Sequence, residues 1–166
     1  MALVTPVSAS PIYVGDEAGT PRTDNGEADI AEVLTRLGID FLYEAFLYPI
    51  RINSSGECTY GFCPDFWVAG TKRMPECHIE VTWPDVQGRP QSNARRRRTI
   101  DQVIREKQSK ICQIYRVYGI PTLLLDYRAC QAILGNHRLL REMLRRLHEF
   151  KDIHDGFYRP AAHHMR

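Results

Sequence analysis

The sequence contains no long hydrophobic run. None of its apolar stretches approaches the roughly 20 residues that a membrane-spanning helix requires. The segment MALVTPVSAS at its start has neither the basic residues nor the long apolar stretch of a secretory signal. These absences argue against a membrane or exported protein and predict an intracellular one.

Cysteine content and net charge exclude little. The five cysteines are an odd number at irregular spacing, which is typical of a reduced protein and not of a disulfide framework. The formal net charge is only +2, but its distribution is uneven, since Arg95, Arg96, Arg97 and Arg98 form one continuous block. Hydrophobic content of 43% is that of an ordinary globular protein, and 166 residues fit one domain.

The composition divides the chain into an arm, a domain and a tail. Residues 1–25 are rich in Pro, Gly, Ser, Thr and Asp and lack an apolar period, which indicates a flexible N-terminal arm. Residues 26–150 carry the periodic apolar segments of a folded domain. Residues 151–166 show no clear pattern and are interpreted as a C-terminal tail.

Apolar periodicity predicts a helix, a meander of three strands, a second helix, a buried strand and further helices. The first helix is capped by Asp24 or Asn25 and ends at Gly38. The remaining elements are strands at 41–50, 58–69 and 77–83, a helix at 99–118, a strand at 122–127 and helices to about residue 150, with a turn at 53–56. A strand, a helix and another buried strand in succession imply a crossover, so the predicted fold class is α/β with a mixed sheet.

Two acidic residues stand in otherwise apolar strands. Asp65 lies in the segment CPDFWV, and Glu80 lies 15 positions later (80 − 65) in HIEVT. A carboxylate there is unfavourable unless it is paired or binds a cation. Two such acids on neighbouring strands can hold one hard ion, Mg²⁺ or Mn²⁺, which would polarise a phosphodiester. The alternative is that both acids lie at exposed strand ends and only keep the sheet edges soluble.

This pattern resembles the PD-(D/E)XK nuclease superfamily. The family motif is a Pro-Asp pair opening one strand, then an acid, any residue and a lysine on the next. Pro64–Asp65 and Glu80–Val81–Thr82 stand in those places, and the resemblance covers about residues 26–126. It implies a restriction-endonuclease-like αβββαβ sandwich with a central mixed sheet and extra C-terminal helices.

The resemblance also implies an activity and a metal site. The activity is metal-dependent endonucleolytic hydrolysis of phosphodiester bonds in DNA. The family's metal ligands carry over to Asp65, Glu80 and the backbone carbonyl of Val81, with Mg²⁺ or Mn²⁺ as cofactor.

The sequence departs from the family at Thr82, which occupies the lysine position and carries no positive charge. Some members of the superfamily carry this lysine on the following helix. There, Lys107 lies near the middle of the apolar stripe and Lys110 lies toward its edge. Lys107 is therefore the preferred catalytic lysine and Lys110 the second candidate. The alternative is that Lys107 extends along the helix flank to solvent and has no chemical role.

The family also tends to carry a glutamate on its first helix, facing the site. Glu27 shares the inward face of Ile30 and Leu34 and is the candidate catalytic residue at this position. The alternative is that Glu27 is only a favourable charge in the first helical turn. Glu44 in the first strand is a weaker candidate.

The arginine block provides a candidate DNA contact. Arg95–Arg98 could neutralise backbone phosphates without reading bases, although a charge run is often only a solvated loop. DNA is accordingly the expected partner, and paired cuts would call for a homodimer or a larger DNA-processing complex.

Two other interpretations stay open. A catalytically inactive DNA- or protein-binding module on the same fold would explain Thr82 without a displaced lysine. Cys58, Cys63, Cys77 and His78 offer ligand types that suit zinc, but adjacent strand residues point to opposite faces. Buried free thiols account for these cysteines better.

Overall fold

The computed structural model describes residues 10–15, 26–82, 100–149 and 155–161. Over these ranges the chain is mixed α/β, with four helices and two sheets. The elements are β1 (Ile12–Tyr13), α1 (Glu27–Arg36), β2 (Phe41–Tyr43), β3 (Phe46–Ile52), β4 (Cys58–Phe62), β5 (Phe66–Val68), β6 (Cys77–Thr82), α2 (Ile100–Tyr118), β7 (Thr122–Asp126), α3 (Tyr127–Gly135), α4 (Arg138–Glu149) and β8 (Phe157–Tyr158). Among the described helices, none has both the length and the apolar character needed to cross a membrane.

The larger sheet has five strands in the order β2-β5-β6-β7-β8. The neighbouring pairs β2–β5 and β5–β6 are antiparallel, whereas the pairs β6–β7 and β7–β8 are parallel. In the parallel pair β6–β7, Glu80 lies opposite Leu124. A parallel pair needs a crossover, and α2 lies between β6 and β7 in the chain. The predicted α/β class, mixed sheet and strand–helix–strand crossover are therefore confirmed.

Two of the predicted strands are each broken into two, so the prediction of continuous strands at 41–50 and 58–69 is wrong. The first break is at Glu44, whose φ of 46° is left-handed and cannot continue a strand. The second break spans Cys63–Asp65, where Pro64 has no N–H to donate to a ladder. As a result β3 and β4 leave the large sheet and form a three-stranded sheet with β1.

A glycine with a positive φ stands at each end of α1. The N-cap is Gly26 with a φ of 82° and no side-chain cap, so the predicted caps Asp24 and Asn25 are wrong. Gly38 has a φ of 65°, and its N–H bonds to the carbonyl of Thr35, which confirms the predicted helix stop. The turn at 53–56 is also confirmed, because Asn53 Oδ1 accepts hydrogen bonds from the N–H groups of Ser55 and Glu57.

The core lies on both faces of the large sheet. On one face, Leu123 and Leu125 pack with α1, α3 and α4. On the other face, Leu124 packs with α2 and the β3–β4 hairpin. This alternation confirms the prediction that β7 is buried on both faces. The predicted apolar stripe of α2 is likewise buried at Ile104, Ile111 and Ile114.

Both ends of the chain contribute strands to the sheets. Ile12–Tyr13, within the segment predicted to be an arm, pair with β3. Phe157–Tyr158, within the segment interpreted as a tail, pair in parallel with β7 at the edge of the large sheet. The C-terminal strand β8 was not predicted from the sequence.

Candidate metal and catalytic centre

The register of β5 and β6 brings Asp65 and Glu80 together. Phe66 lies opposite Ile79, so the antiparallel ladder places Asp65 beside Glu80. The Asp65 N–H donates to Glu80 Oε2 at 3.1 Å, and the Val81 N–H donates to Asp65 Oδ2 at 2.7 Å. Asp65 is 8% exposed and Glu80 is 3% exposed. The interpretation of the two acids as exposed residues at strand ends is therefore wrong.

Lys107 reaches this pair from α2. Its Nζ lies 2.5 Å from Glu80 Oε1 and 3.1 Å from the carbonyl oxygen of Val81. Lys110, one turn further along, instead places its Nζ 5.1 Å from the ring centroid of Tyr60. Of the two candidate lysines, Lys107 thus contacts the acidic pair, and its ammonium does not simply extend into solvent.

Glu27 and Glu44 extend the acidic cluster. Carboxylate oxygens of Glu27, Glu44 and Asp65 all lie within 4.8 Å of one another. Glu27 is buried, and one of its oxygens accepts a hydrogen bond from the hydroxyl of Tyr43. Glu44 is held at the break between β2 and β3 by a 2.9 Å bond from its N–H to the Asp65 carbonyl. Both glutamates therefore belong to the same cluster as Asp65, although Glu27 also occupies the first turn of α1.

Burial dominates the electrostatics of the cluster. It raises the pKa of Asp65 well above its usual value, and the neighbouring Glu80 raises this pKa further, against the attraction of Lys107. Burial also raises the pKa of Glu80, with Lys107 opposing the change. For Lys107, burial alone would lower the pKa, but Glu80 and Asp65 together outweigh it and raise this pKa. The ammonium is thus firmly charged, while the carboxylates are short of compensating positive charge.

The donor set fits a hard divalent cation. The three acids whose oxygens converge closely enough for one ion are Glu27, Glu44 and Asp65. Of the predicted ligands, Glu80 and the Val81 carbonyl lie outside this group, and both accept a bond from Lys107. Mg²⁺ and Mn²⁺ prefer such all-oxygen sites. A divalent cation would also offset the repulsion between these buried carboxylates.

The thiols do not form a comparable site. Cys77 and His78 are adjacent on β6, and His78 Nε2 lies 2.6 Å from the Tyr48 hydroxyl. Among the described residues, no group of three metal-compatible ligands includes a cysteine or a histidine. The five cysteines are free thiols. The structure therefore gives no support to the zinc interpretation.

Sequence reasoning missed two residues of the centre. Thr82 lies two positions after Glu80 on β6 and shares its face of the strand. It is 4% exposed, and its hydroxyl has no hydrogen-bond partner among the described residues. Tyr43, which bonds Glu27, carried no signal in the sequence, because an aromatic residue in a strand usually serves only packing. Thr82 could have been found from its place in the motif, where it was treated only as a missing lysine.

Arg95–Arg98, the predicted DNA contact, lie outside the described residues. Their role stays a prediction from the sequence.

Comparison with protein-family models, curated proteins and solved structures gave no significant match. Any assignment of function therefore depends on the residues and geometry of the centre.

Proposed function

We propose that the protein is a metal-dependent endonuclease that hydrolyses phosphodiester bonds in DNA, with Mg²⁺ or Mn²⁺ as cofactor. The observation that carries the proposal is the contact between partly buried Lys107 and buried Glu80, beside Asp65. Two acids on neighbouring strands and a lysine against them are the groups that metal-assisted hydrolysis of a phosphodiester uses. The lysine comes from α2, as the displaced-lysine variant of the PD-(D/E)XK pattern requires.

The order of elements supports a restriction-endonuclease-like fold. Helix α1 is followed by three antiparallel strands of the large sheet, then by α2 and the parallel strand β7. This is the αβββαβ order, with the β3–β4 hairpin inserted between the first and second strands of the sheet. Helices α3 and α4 follow as the extra C-terminal helices.

In this proposal each residue of the centre has a distinct role. Asp65, Glu80 and the Val81 carbonyl would hold the metal, which when bound would activate the attacking water and polarise the phosphate. Lys107 would stabilise the negative charge that develops on the phosphate during attack. Glu27 would complete the acidic lining from α1, with its carboxylate oriented by the hydroxyl of Tyr43.

Thr82 favours one second candidate, an inactive module that binds DNA or a protein on the same fold. A module without catalysis would have no need of a lysine at that position. Against this candidate stands Lys107, whose charge lies where the missing lysine's charge would be needed.

Incubation of the purified protein with supercoiled plasmid DNA tests the proposal. We expect nicking or linearisation in Mg²⁺ or Mn²⁺, no cleavage in EDTA and a large loss of rate in Glu80→Gln. Glu32→Gln is the matched control, because Glu32 is an exposed acid paired with Arg36 on α1. DNA binding without cleavage in either metal would instead identify the inactive module.

A further inference from the structure

A surface cleft contains two cations on one aromatic ring. It has a volume of about 260 Å³ and lies between the β3–β4 hairpin and α2. Arg51 and Tyr60 line it from the hairpin, and Glu106, Ser109, Lys110 and Gln113 line it from the helix.

The two cations are gathered around the ring of Tyr60. The guanidinium carbon of Arg51 lies 5.4 Å from the ring centroid, and Lys110 Nζ lies 5.1 Å from the same point. Both distances are in the range of cation–π attraction. Within the described residues, neither cation forms an ion pair with a carboxylate, although Glu106 lines the same cleft. Two cations that share one ring and pair with no described carboxylate are available to bind an anion.

Each wall of the cleft has a residue that is close in the chain to the candidate catalytic centre. Lys110 follows Lys107 by three positions on α2, about 4.5 Å along the helix axis. Lys110 Nζ also lies 5.8 Å from the ring centroid of Phe62, which precedes Asp65 by three positions. A DNA strand bound at Asp65 and Glu80 that continues along α2 toward Lys110 would bring another of its phosphates to the cleft.

We infer that Arg51 and Lys110 bind a backbone phosphate of DNA other than the scissile one, with Tyr60 holding the two cations in place. This inference rests on the proposed function for the identity of the anion. Ser109 and Gln113 add hydrogen-bond donors on the helical wall. The contact is to the DNA backbone, so it would strengthen binding without selecting a base sequence.

The test is the salt dependence of DNA binding, measured by fluorescence anisotropy in EDTA so that no cleavage is needed. The double variant Arg51→Met/Lys110→Met should bind a short duplex at least about tenfold more weakly at low salt, since it loses charge-assisted hydrogen bonds. Loss of one phosphate contact should reduce the log–log salt slope by about 0.9. The matched control is Arg73→Met/Arg128→Met, which removes the same charge from exposed residues away from the cleft.

Two results would overturn the inference: an unchanged slope in the double variant, or no DNA binding by the wild type. A third result would also reject the phosphate site. If Tyr60→Leu lost DNA binding while the double variant bound fully, Tyr60 would act by stacking on a base. This experiment is separate from the test of nuclease activity. If the protein were not a nuclease, no metal would support cleavage, but the wild type and the double variant would still differ in DNA affinity in EDTA.

Discussion

Lys107 bonds two of the oxygen atoms that a metal ion at this centre would use. These are Glu80 Oε1 and the carbonyl oxygen of Val81. The ammonium therefore offsets part of the carboxylate charge, and a metal ion would have to displace or share it. In the proposed mechanism, Lys107 competes with the metal for these oxygens and also supplies the positive charge that stabilises the phosphate during attack.

Replacement of Lys107 by methionine separates these two roles. In Lys107→Met we expect tighter Mn²⁺ binding at alkaline pH, measured by titration calorimetry, because a competing positive charge is gone. We expect kcat to fall by roughly 10²–10³-fold with DNA affinity little changed, as for a group that acts mainly in the transition state.

Lys110→Met is the control for that experiment, since Lys110 contacts Tyr60 and not the acids. It should leave Mn²⁺ affinity unaltered. An inactive Lys110→Met protein beside a fully active Lys107→Met protein would mean that the catalytic lysine lies on the other turn of α2.

Tyr48 and His78 form a buried polar pair in the core under α2. Burial lowers the pKa of His78 to about 3, so its ring is neutral at physiological pH. One ring nitrogen bonds the Tyr48 hydroxyl at 2.6 Å, and the other has no partner among the described residues. The Tyr48 hydroxyl is thus the one described contact that satisfies this imidazole.

Tyr48→Phe should lower the free energy of unfolding by about 1–3 kcal/mol, because it leaves the buried His78 nitrogen unsatisfied while the ring packing is kept. Urea denaturation measures the change. Tyr13→Phe serves as the comparison, since Tyr13 is 61% exposed and should tolerate the loss of its hydroxyl. Equal stability of the two variants would show that the Tyr48–His78 bond contributes nothing net.

At the scale of the helix or strand, the sequence predicts segments with a regular apolar period, but it does not predict where a strand is interrupted. The apolar run of β7 and the stripe of α2 reflect burial directly, so the pattern identified them. The breaks at Glu44 and Pro64 depend on backbone torsions within runs whose apolar character continues on both sides. The two residues of β8 carry no period at all, and only pairing with β7 makes them a strand.

Gly156 is the residue that allows β8 to dock. Its φ is +73°, and an added Cβ would overlap the side chain of Tyr115 on α2. Its carbonyl accepts a 2.9 Å hydrogen bond from the N–H of Thr122 at the start of β7. A side chain at this position would therefore force β8 away from both neighbours.

We expect Gly156→Ala to destabilise the protein by roughly 1–3 kcal/mol or more, through overpacking and a strained φ. Thermal unfolding measures this change. Gly135→Ala is the matched control, because no atom lies within 4 Å of an added Cβ there and its φ is not positive. If the two variants unfold at the same temperature, β8 is not an integral strand of the sheet.

At the scale of the whole molecule, the candidate centre is assembled from parts of the chain that lie far apart in the sequence. Asp65 and Glu80 could be found from the sequence because acids are rare in apolar strands. Lys107 could be found because a lysine within an apolar stripe needs a buried partner. Tyr43 could not, because its bond to Glu27 follows only from how α1 packs against β2.

The central claim is that Asp65 and its neighbours hold a metal for phosphodiester hydrolysis. The most direct test is the initial rate of plasmid nicking in Mg²⁺ by the wild type, Asp65→Ala and Asp65→Asn, with circular dichroism to verify folding. Asp65→Asn keeps an oxygen that can accept the Val81 N–H bond but removes the charge. Asp40→Ala, which alters an exposed acid just before β2, is the control. We expect a rate lower by several orders of magnitude in both folded Asp65 variants and an unchanged rate in Asp40→Ala. Wild-type rates in the folded Asp65 variants, or full activity in EDTA, would contradict the claim.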